Sequence, residues 1–151
     1  MTGTLEIRPL RSGDEAAWRR LWTAYLYFYE SSVPEEVYRS SFDRMLAGNA
    51  GAANEFRGLL ALLDGKPVGL VHFLFHRHGW KIENVCYLQD LYADPDVRGT
   101  GVGRALIEAV YAAADAEGCP AVYWLTQDFN ATARRLYDRI GKVTPFIKYS
   151  R

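Results

Sequence analysis

The sequence is short of net charge, of long apolar runs and of cysteine. Its 151 residues carry 18 basic and 18 acidic side chains, so no overall electrostatic attraction favours nucleic acid or an anionic membrane as a partner. No window approaches the roughly 18 consecutive apolar residues of a membrane-spanning helix. The N-terminal stretch MTGTLEIRPLRSGDE lacks an apolar core, which argues against a secretory signal. We therefore expect a cytoplasmic protein that binds neither nucleic acid nor membrane.

Cysteine and histidine are too sparse to suggest a disulfide framework or a metal site. The two cysteines, Cys86 and Cys119, follow no compact pattern and are expected to be reduced thiols. The three histidines alternate along one predicted strand, with no cysteine or carboxylate at ligand spacing: His72, His76 and His78. We expect no bound metal. His72 and His76 share a strand face and are expected to be packed or hydrogen-bonded there.

The order of periodic segments predicts one α/β domain over residues 1–151. Helices are expected over about 14–30, from Pro34 to about 47, over 102–117 and over 131–140. The predicted strands are TLEIRPL, FRGLLALL, KPVGLVHFLFHRH, NVCYLQDLYA, CPAVYWLT and TPFIKYSR. The turn DGKP between the second and third strands is a strong hairpin signal. Strands connected by single helices indicate a mixed sheet.

The stretch PDVRGTGVGRALIEAVY, residues 95–111, places three glycines in five positions directly before a helix. Glycines at 99, 101 and 103 let the backbone approach a bulky anion, and the unpaired N–H groups of a helix start attract negative charge. Arg98 and Arg104 bracket the loop and can add charge-assisted contacts. Neither a P-loop nor a G-x-G-x-x-G dinucleotide fingerprint fits these residues. The expected guest is a diphosphate, and the alternative is a glycine-rich helix cap without a ligand.

Two motifs in this region carry a family resemblance. Arg98 and the glycines at 101 and 103 form the pattern R-x-x-G-x-G, which resembles the coenzyme A pyrophosphate signature of the GNAT superfamily of N-acetyltransferases. The segment NATARRLYDRIG resembles the second landmark of that superfamily, N-x-x-A-x-x-x-Y, through Asn130, Ala133 and Tyr137. The resemblance is closest from 87 to 149. It is greatest to the small branch that acetylates polyamines, histone-tail lysines and other primary amines.

The resemblance implies the GNAT fold, with a central twisted mixed sheet of about six to seven strands flanked by about four helices. It also implies direct transfer of the acetyl group from acetyl-CoA to a primary amine in a ternary complex. Polyamines, protein lysines, amino acids and aminoglycosides all present such an amine, so these acceptor classes stay open. The residues expected to hold the coenzyme are Leu91, Tyr92, Ala93, Arg98, Gly99, Thr100, Gly101, Val102, Gly103, Arg104, Asn130, Ala133 and Tyr137.

Acetyl transfer needs one group to remove a proton from the amine and another to stabilise the departing thiolate. Tyr137 is directed inward from its helix and is expected to hydrogen-bond or protonate the sulfur. For the proton of the amine we expect Asp90 or a water chain, and Glu83 is a candidate that would act through a water. The alternative role for Asp90 is that of a strand-end carboxylate paired with an arginine.

Position 89 departs from the pattern of the polyamine-acetylating relatives. In those relatives the positions that match 89 and 90 are usually both acidic, whereas Gln89 cannot accept a proton at neutral pH. Because adjacent strand residues point to opposite faces, a β-bulge would be needed for Gln89 and Asp90 to approach one ligand. Gln89 is the one feature that favours the alternative function, a non-catalytic regulator that binds acyl-CoA.

The run YLYFYE near the end of the first predicted helix covers nearly every direction around that helix. In the GNAT fold this helix borders the acceptor groove, where ring faces and a carboxylate would suit a cationic amine. Aromatic packing in the core is the alternative for each ring. The residues expected to bind the acceptor are Tyr25, Phe28, Tyr29, Glu30, Gln89 and Trp124.

Only about ten residues follow the last predicted helix, which is enough for one short strand. The edge of the sheet left by TPFIKYSR would be long and apolar, and exposed edges of that kind tend to be covered. We therefore expect a homodimer in which the C-terminal strands pair or exchange between subunits.

Overall fold

Four antiparallel strands and one short parallel strand form the sheet of the protein, whose computed structural model describes residues 3–151. The strands lie side by side in chain order: β1 (Leu5–Pro9), β2 (Arg57–Leu63), β3 (Lys66–His76), β4 (Val85–Ala93) and β5 (Val122–Tyr123). β5 pairs parallel with β4, and all other neighbours pair antiparallel. The predicted hairpin between β2 and β3 is confirmed, and its turn residues Asp64 and Gly65 both have positive φ, as such two-residue turns require.

Four helices cover the two faces of this sheet: α1 (Glu15–Phe28), α2 (Glu35–Asn49), α3 (Val102–Ala116) and α4 (Ala131–Ile140). α1 and α2 bury Trp18, Leu21 and Met45 completely against one face. The apolar stripe of α3 lies against the other face, together with side chains of α4. In the described part of the chain, no helix combines the length and the apolar character needed to cross a membrane.

A β-bulge interrupts β4. Leu88 and Asp90 pair with consecutive residues of β3, which leaves Gln89 without a partner. Leu88 packs into the core beneath α3, whereas the Asp90 side chain reaches Trp22 of α1 on the opposite face. In a regular strand without a bulge, Leu88 and Asp90 would stand two residues apart and face the same side of the sheet. The β-bulge that Gln89 and Asp90 need in order to share one face of the sheet is therefore present.

β4 and β5 separate soon after they begin to pair. Their only two paired positions are Cys86 with Val122 and Tyr87 with Tyr123, but β4 continues to Ala93. The backbone of β4 after the bulge is therefore unpaired on the side that faces β5. The chain continues from β4 to α3 and from β5 to α4, the two helices that carry the predicted coenzyme motifs.

The expected strand count is corrected by the structure. The sheet has five strands in the described residues, not six to seven, because the segment 144–151 forms no strand and CPAVYWLT pairs only over Val122–Tyr123. A strand needs a partner edge, and two paired residues in β5 offer the C-terminal segment almost none. The large apolar side chains of residues 143–151 consequently stay exposed: Val143, Phe146, Ile147 and Tyr149.

Gly48 in α2 allows the helix to pack closely on the chain that enters β2. A Cβ atom at this position would overlap with the Phe56 carbonyl oxygen, and backbone cannot move aside as a flexible side chain can. We expect Gly48→Ala to lower the free energy of unfolding by about 1 to 3 kcal/mol, although alanine is the better helix former. Urea unfolding measures the change. Gly79→Ala is the control, because nothing lies within 4 Å of its added Cβ, and equal stability of the two variants would contradict this account.

Candidate active site

The predicted anion loop connects β4 to the start of α3. Gly99 and Gly101 have φ angles of 80° and 95°, which glycine adopts without strain, and Gly101 is the N-cap residue of α3. Cβ atoms built at these two glycines would meet nothing within 4 Å, so open space borders the loop. The amides of the first helical turn have no acceptor within the helix. They face this space with the positive end of the helix dipole, which suits an anion.

The two arginines beside the loop are held differently. Arg98 Nε donates to the carbonyl oxygen of Ala93 at 2.9 Å, and its guanidinium lies 5.5 Å from the centroid of the Tyr92 ring. Arg104 Nε donates to Glu108 at 2.6 Å, one turn further along α3. Both arginines remain at the surface next to the glycines. Their cationic groups can therefore reach a diphosphate in the loop.

The second motif builds the start of α4 and directs one phenol inward. Asn130 Oδ1 accepts from the amide of Ala133 at 3.4 Å, which begins the helix. One turn later the half-buried Tyr137 packs edge-on against Trp124, with ring centroids 5.4 Å apart. Burial, with a smaller effect of Tyr29, raises the pKa of Tyr137 to about 12. The phenol therefore keeps its proton at neutral pH and can donate it in a hydrogen bond.

Asp90 is a buried carboxylate with several hydrogen-bond donors around it. His72 Nδ1 lies 2.8 Å from Asp90 Oδ2, Trp22 Nε1 donates to the same oxygen at 3.3 Å, and Tyr25 is near enough to help lower the pKa of the carboxylate. Burial by itself would raise the pKa of Asp90, but the hydrogen bonds and His72 together hold it below its ordinary value. Asp90 is consequently ionised at neutral pH and a weak proton acceptor.

Phenols surround this charge on the side of the opening. Burial first, and then the negative charge of Asp90, raises the pKa of each of Tyr25, Tyr29 and Tyr87. The rings of Tyr25 and Tyr29 lie 5.1 Å apart, and Tyr137 is near enough to contribute to the raised pKa of Tyr25. Residues from α1, β4 and α4 thus converge around one carboxylate.

Comparison with known proteins identifies the architecture that carries this arrangement. The model of the acetyltransferase (GNAT) family matches residues 15–141. The chain belongs to the GNAT acetyltransferase family. It is 37% identical to a D-amino-acid N-acetyltransferase of Saccharomyces cerevisiae over 147 residues. The matched region covers 96% of this chain and 89% of that protein. It is 36% identical to a thialysine N-epsilon-acetyltransferase of Mus musculus over 120 residues. This second match covers 75% of this chain and 66% of that protein.

Solved structures show the same fold at lower identity. The aminoglycoside N-acetyltransferase AAC(6')-Iy in complex with CoA superposes with a TM-score of 0.83 at 19% identity, over 100% of this chain and 96% of that one. The GNAT fold and the acyltransferase class that the two motifs predicted are therefore confirmed.

In this GNAT acetyltransferase the predicted coenzyme residues lie in four places: the unpaired end of β4, the glycine loop, the start of α3, and α4 with its N-cap. Two of them serve the local fold as well. Val102 has a fully buried side chain in the core, so only its backbone is available. The Thr100 hydroxyl donates to the Val97 carbonyl oxygen and stabilises the loop.

The residues predicted to bind the acceptor are divided between two places. Tyr25 and Tyr29 stand beside Asp90, whereas Phe28 and Glu30 face a groove of about 760 Å³ between α1 and the loop after β4. The carboxylate next to the tyrosines is therefore Asp90 and not Glu30. The groove is lined by Arg20, Thr23, Ala24, Tyr27, Phe28, Glu30, Tyr92, Pro95 and Arg98.

The structure also gives the positions of the three remaining predicted residues. Glu83 precedes β4 and stands seven residues before Asp90 in the chain. Trp124 packs between the rings of Tyr111 and Tyr137. Gln89 is exposed at the bulge.

The sequence reasoning did not assign a role in the site to His72, Trp22 or Tyr87. The alternation of β3 placed His72 on a strand face, but not its partner Asp90, which the bulge determines. Trp22 stands four residues after Trp18 in α1, the spacing of an apolar helix face, yet its indole N–H bonds the carboxylate. Tyr87 could have been found from the period of β4, since it stands on the same face as Gln89 when the strand alternates.

Substitutions at Gly101 and Gly103 test whether coenzyme A binding needs the left-handed backbone of the loop or only the absence of side chains. Gly101→Ala forces a residue with a Cβ into φ near 95°, so we expect about a tenfold weaker coenzyme A affinity, which corresponds to about 1.4 kcal/mol. Gly103→Ala adds a Cβ that meets Leu136 of α4 at an ordinary 3.5 Å and should stay within about twofold of wild type. Isothermal titration calorimetry with coenzyme A compares them. Equal affinity of the two variants would show that the left-handed backbone is not needed.

Proposed function

We propose that the protein transfers the acetyl group of acetyl-CoA directly to a primary amine within a ternary complex. The observation that carries the proposal is the convergence of an anion loop, an unpaired strand edge and the neutral phenol of Tyr137 on one opening between β4 and β5. The sequence relatives support an amine as the acceptor, because they are named for D-amino acids and for the ε-amine of thialysine. Amino acids and their analogues are therefore the first acceptors to test.

The coenzyme would lie along the opening between β4 and β5. Its diphosphate suits the amides of the first turn of α3, with Arg98 and Arg104 as cationic neighbours. Its pantetheine arm carries amide groups that can pair with the free backbone of Leu91 and Ala93, as an added strand pairs with a sheet edge. This placement brings the thioester toward the bulge. The complex of a similarly folded aminoglycoside acetyltransferase with CoA supports the choice of cosubstrate.

Tyr137 is suited to the departing sulfur. A thiolate leaving group gains from a donor that is protonated at neutral pH, and the raised pKa of Tyr137, about 12, ensures that it is protonated. The phenol projects from α4 toward Tyr25 and Tyr29. The geometry thus supports the predicted role of Tyr137 as the hydrogen-bond donor or acid for coenzyme A.

The amine must lose a proton before it attacks. An alkylammonium with a pKa near 10.4 is deprotonated in only about one molecule in 10³ at neutral pH. Asp90 does not suit the role of base, because its donors hold its pKa below the ordinary value. Of the two predicted routes, the structure therefore favours a water chain. Asp90 instead provides the negative charge that attracts the ammonium group.

Removal of one hydroxyl tests the role of Tyr137. We expect Tyr137→Phe to lower kcat about tenfold or more, in line with the usual scale of acid catalysis, because the ring and its packing on Trp124 are kept. The assay follows coenzyme A thiol release with a panel of amino acids, lysine analogues and polyamines. Tyr38→Phe is the matched control, since its hydroxyl bonds Thr23 between α1 and α2 and should leave kcat unchanged.

The same assay distinguishes the enzyme from an acyl-CoA-binding regulator. Acetyl-CoA that stabilises the wild-type protein against heat, without thiol release on any amine of the panel, would favour the regulator. An unchanged kcat in Tyr137→Phe would remove that phenol from the mechanism.

The exposed C-terminal segment supports a homodimer. Phe146, Ile147 and Tyr149 are 81%, 78% and 89% exposed, and β5 has no strand on its outer side in the described residues. Apolar segments and free strand edges of this kind are usually covered by a partner. A second copy of the chain can offer the same segment in return, so that two C-terminal strands pair or exchange. The buried free thiols Cys86 and Cys119 fit a reducing compartment such as the cytoplasm.

Light scattering after size exclusion measures the assembly. We expect twice the 17.1 kDa mass of one chain for the wild type and one chain mass for the double variant Phe146→Asp, Ile147→Asp, because two charges in a paired strand oppose association. Ile82→Asp changes an equally exposed residue between β3 and β4 and should stay dimeric. A wild-type mass of 17.1 kDa would contradict the dimer.

A further inference from the structure

A histidine and a tyrosine form a hydrogen-bonded pair where the opening between β4 and β5 begins. His76 Nε2 and the Tyr123 hydroxyl oxygen lie 2.7 Å apart, which joins the end of β3 to β5 across β4. The ring of Tyr123 stacks on that of Tyr87 in β4, with centroids 4.9 Å apart. Tyr87 and Tyr123 are also the last paired residues before β4 and β5 separate. The phenol of Tyr123 therefore stands at the start of the opening.

The stacked phenols share a face of the sheet with Asp90. Cys86 and Leu88 pack into the core beneath α3, so Tyr87 between them points to the opposite face. Its register partner in β5 points the same way, since the two side chains stack. After the β-bulge, Asp90 reaches Trp22 of α1 on that same face. The hydrogen-bonded pair thus borders the side of the opening toward which the carboxylate would attract an amine.

The backbone fixes which atoms of the pair carry protons. His76 Nδ1 lies 2.7 Å from the carbonyl oxygen of Arg77, and a carbonyl oxygen can only accept. In the neutral imidazole the ring proton is therefore on Nδ1, so Nε2 accepts the hydrogen bond from the Tyr123 hydroxyl. The lone pairs of the Tyr123 oxygen are then available to accept a further hydrogen bond. Because Tyr123 is 41% exposed, water can reach this oxygen.

We propose that Tyr123 and His76 relay the proton that the amine loses before it attacks the thioester. The ammonium group gives one N–H proton, through a water, to the Tyr123 oxygen, while the Tyr123 O–H proton moves to His76 Nε2. The products are an amine with a free lone pair, an unchanged phenol and an imidazolium, whose Nδ1–H still bonds the carbonyl oxygen of Arg77. This inference rests on the proposed amine acetylation and gives its water chain an end point.

The relay supplies the proton acceptor that Asp90 does not provide. Imidazole is the side chain that takes up and releases a proton near neutral pH, and the half-buried His76 can return the proton to solvent. Burial, with smaller effects of Tyr87 and Cys86, raises the pKa of Tyr123. The phenol consequently gives up its proton only as it receives another, which is what a relay requires.

Substitutions that separate proton uptake from hydrogen bonding test the relay. His76→Gln keeps an acceptor for the Tyr123 hydroxyl in its amide oxygen, but an amide takes up no proton at neutral pH. We expect kcat to fall about tenfold or more, while the KM for acetyl-CoA stays within about twofold. Tyr123→Phe keeps the stacked ring and should lower kcat equally. Because the two residues act as one unit, the double variant should be no slower than either single variant.

His78→Gln is the matched control in the same assay of coenzyme A thiol release. This histidine follows β3 in the next loop and accepts from the backbone N–H of Trp80, so kcat should stay at the wild-type value.

Three results would overturn the relay: an unchanged kcat in Tyr123→Phe, an unchanged kcat in His76→Gln, or losses that add in the double variant. Retained activity in His76→Gln would show that the histidine only orients the hydroxyl. Thermal melts and the KM for acetyl-CoA verify that each variant is folded, and the partial exposure of both side chains favours this. A wild type that releases no thiol with any amine would refute the proposed function and the relay with it, whereas an active wild type with unaffected variants would refute the relay alone.

Discussion

The β-bulge at Gln89 is the local feature on which the site depends. One extra residue reverses the faces of β4, so that Asp90 leaves the core beneath α3 and meets Trp22, Tyr25 and His72. β4 also loses its pairing with β5 just before the bulge. A carboxylate and a free backbone edge therefore appear at the same place, one on the face and one at the side of the strand. Without the bulge, the charge would lie in an apolar core.

The parts of the site that were predicted correctly are those that local backbone geometry determines. Gly99 and Gly101 take positive φ, and the helix that follows begins at the predicted residue, Val102. Asn130 begins α4 as its side chain allows. These features involve contacts only a few residues apart in the chain, so residue type and spacing are sufficient to predict them. The family resemblance added what such residues hold, which no spacing rule contains.

The parts that were not predicted depend on contacts between distant segments. His72 and Asp90 are 18 residues apart, and Trp18 and His72 are 54 apart. Their contacts follow from strand register, and the bulge shifts that register by one residue. Tyr25 and Glu30 face different places because α1 ends between them. Glu30 lies beyond the end of the helix and has a φ of 55°. The C-terminal segment forms no strand for a similar reason, because β5 pairs over only two residues and offers only a short edge.

In the proposed function, the burial of Asp90 bears on a conflict between binding and chemistry. A negative charge that attracts an ammonium group also stabilises its protonated form, which cannot attack the thioester. At an effective dielectric constant of about 20 the attraction is about 4 kcal/mol at 4 Å and about 2.4 kcal/mol at 7 Å. Asp90 is 9% exposed, and this burial favours the longer distance for an amine that enters from the opening. The charge can thus draw the cation into the site while it opposes the loss of the proton less strongly than a direct ion pair would.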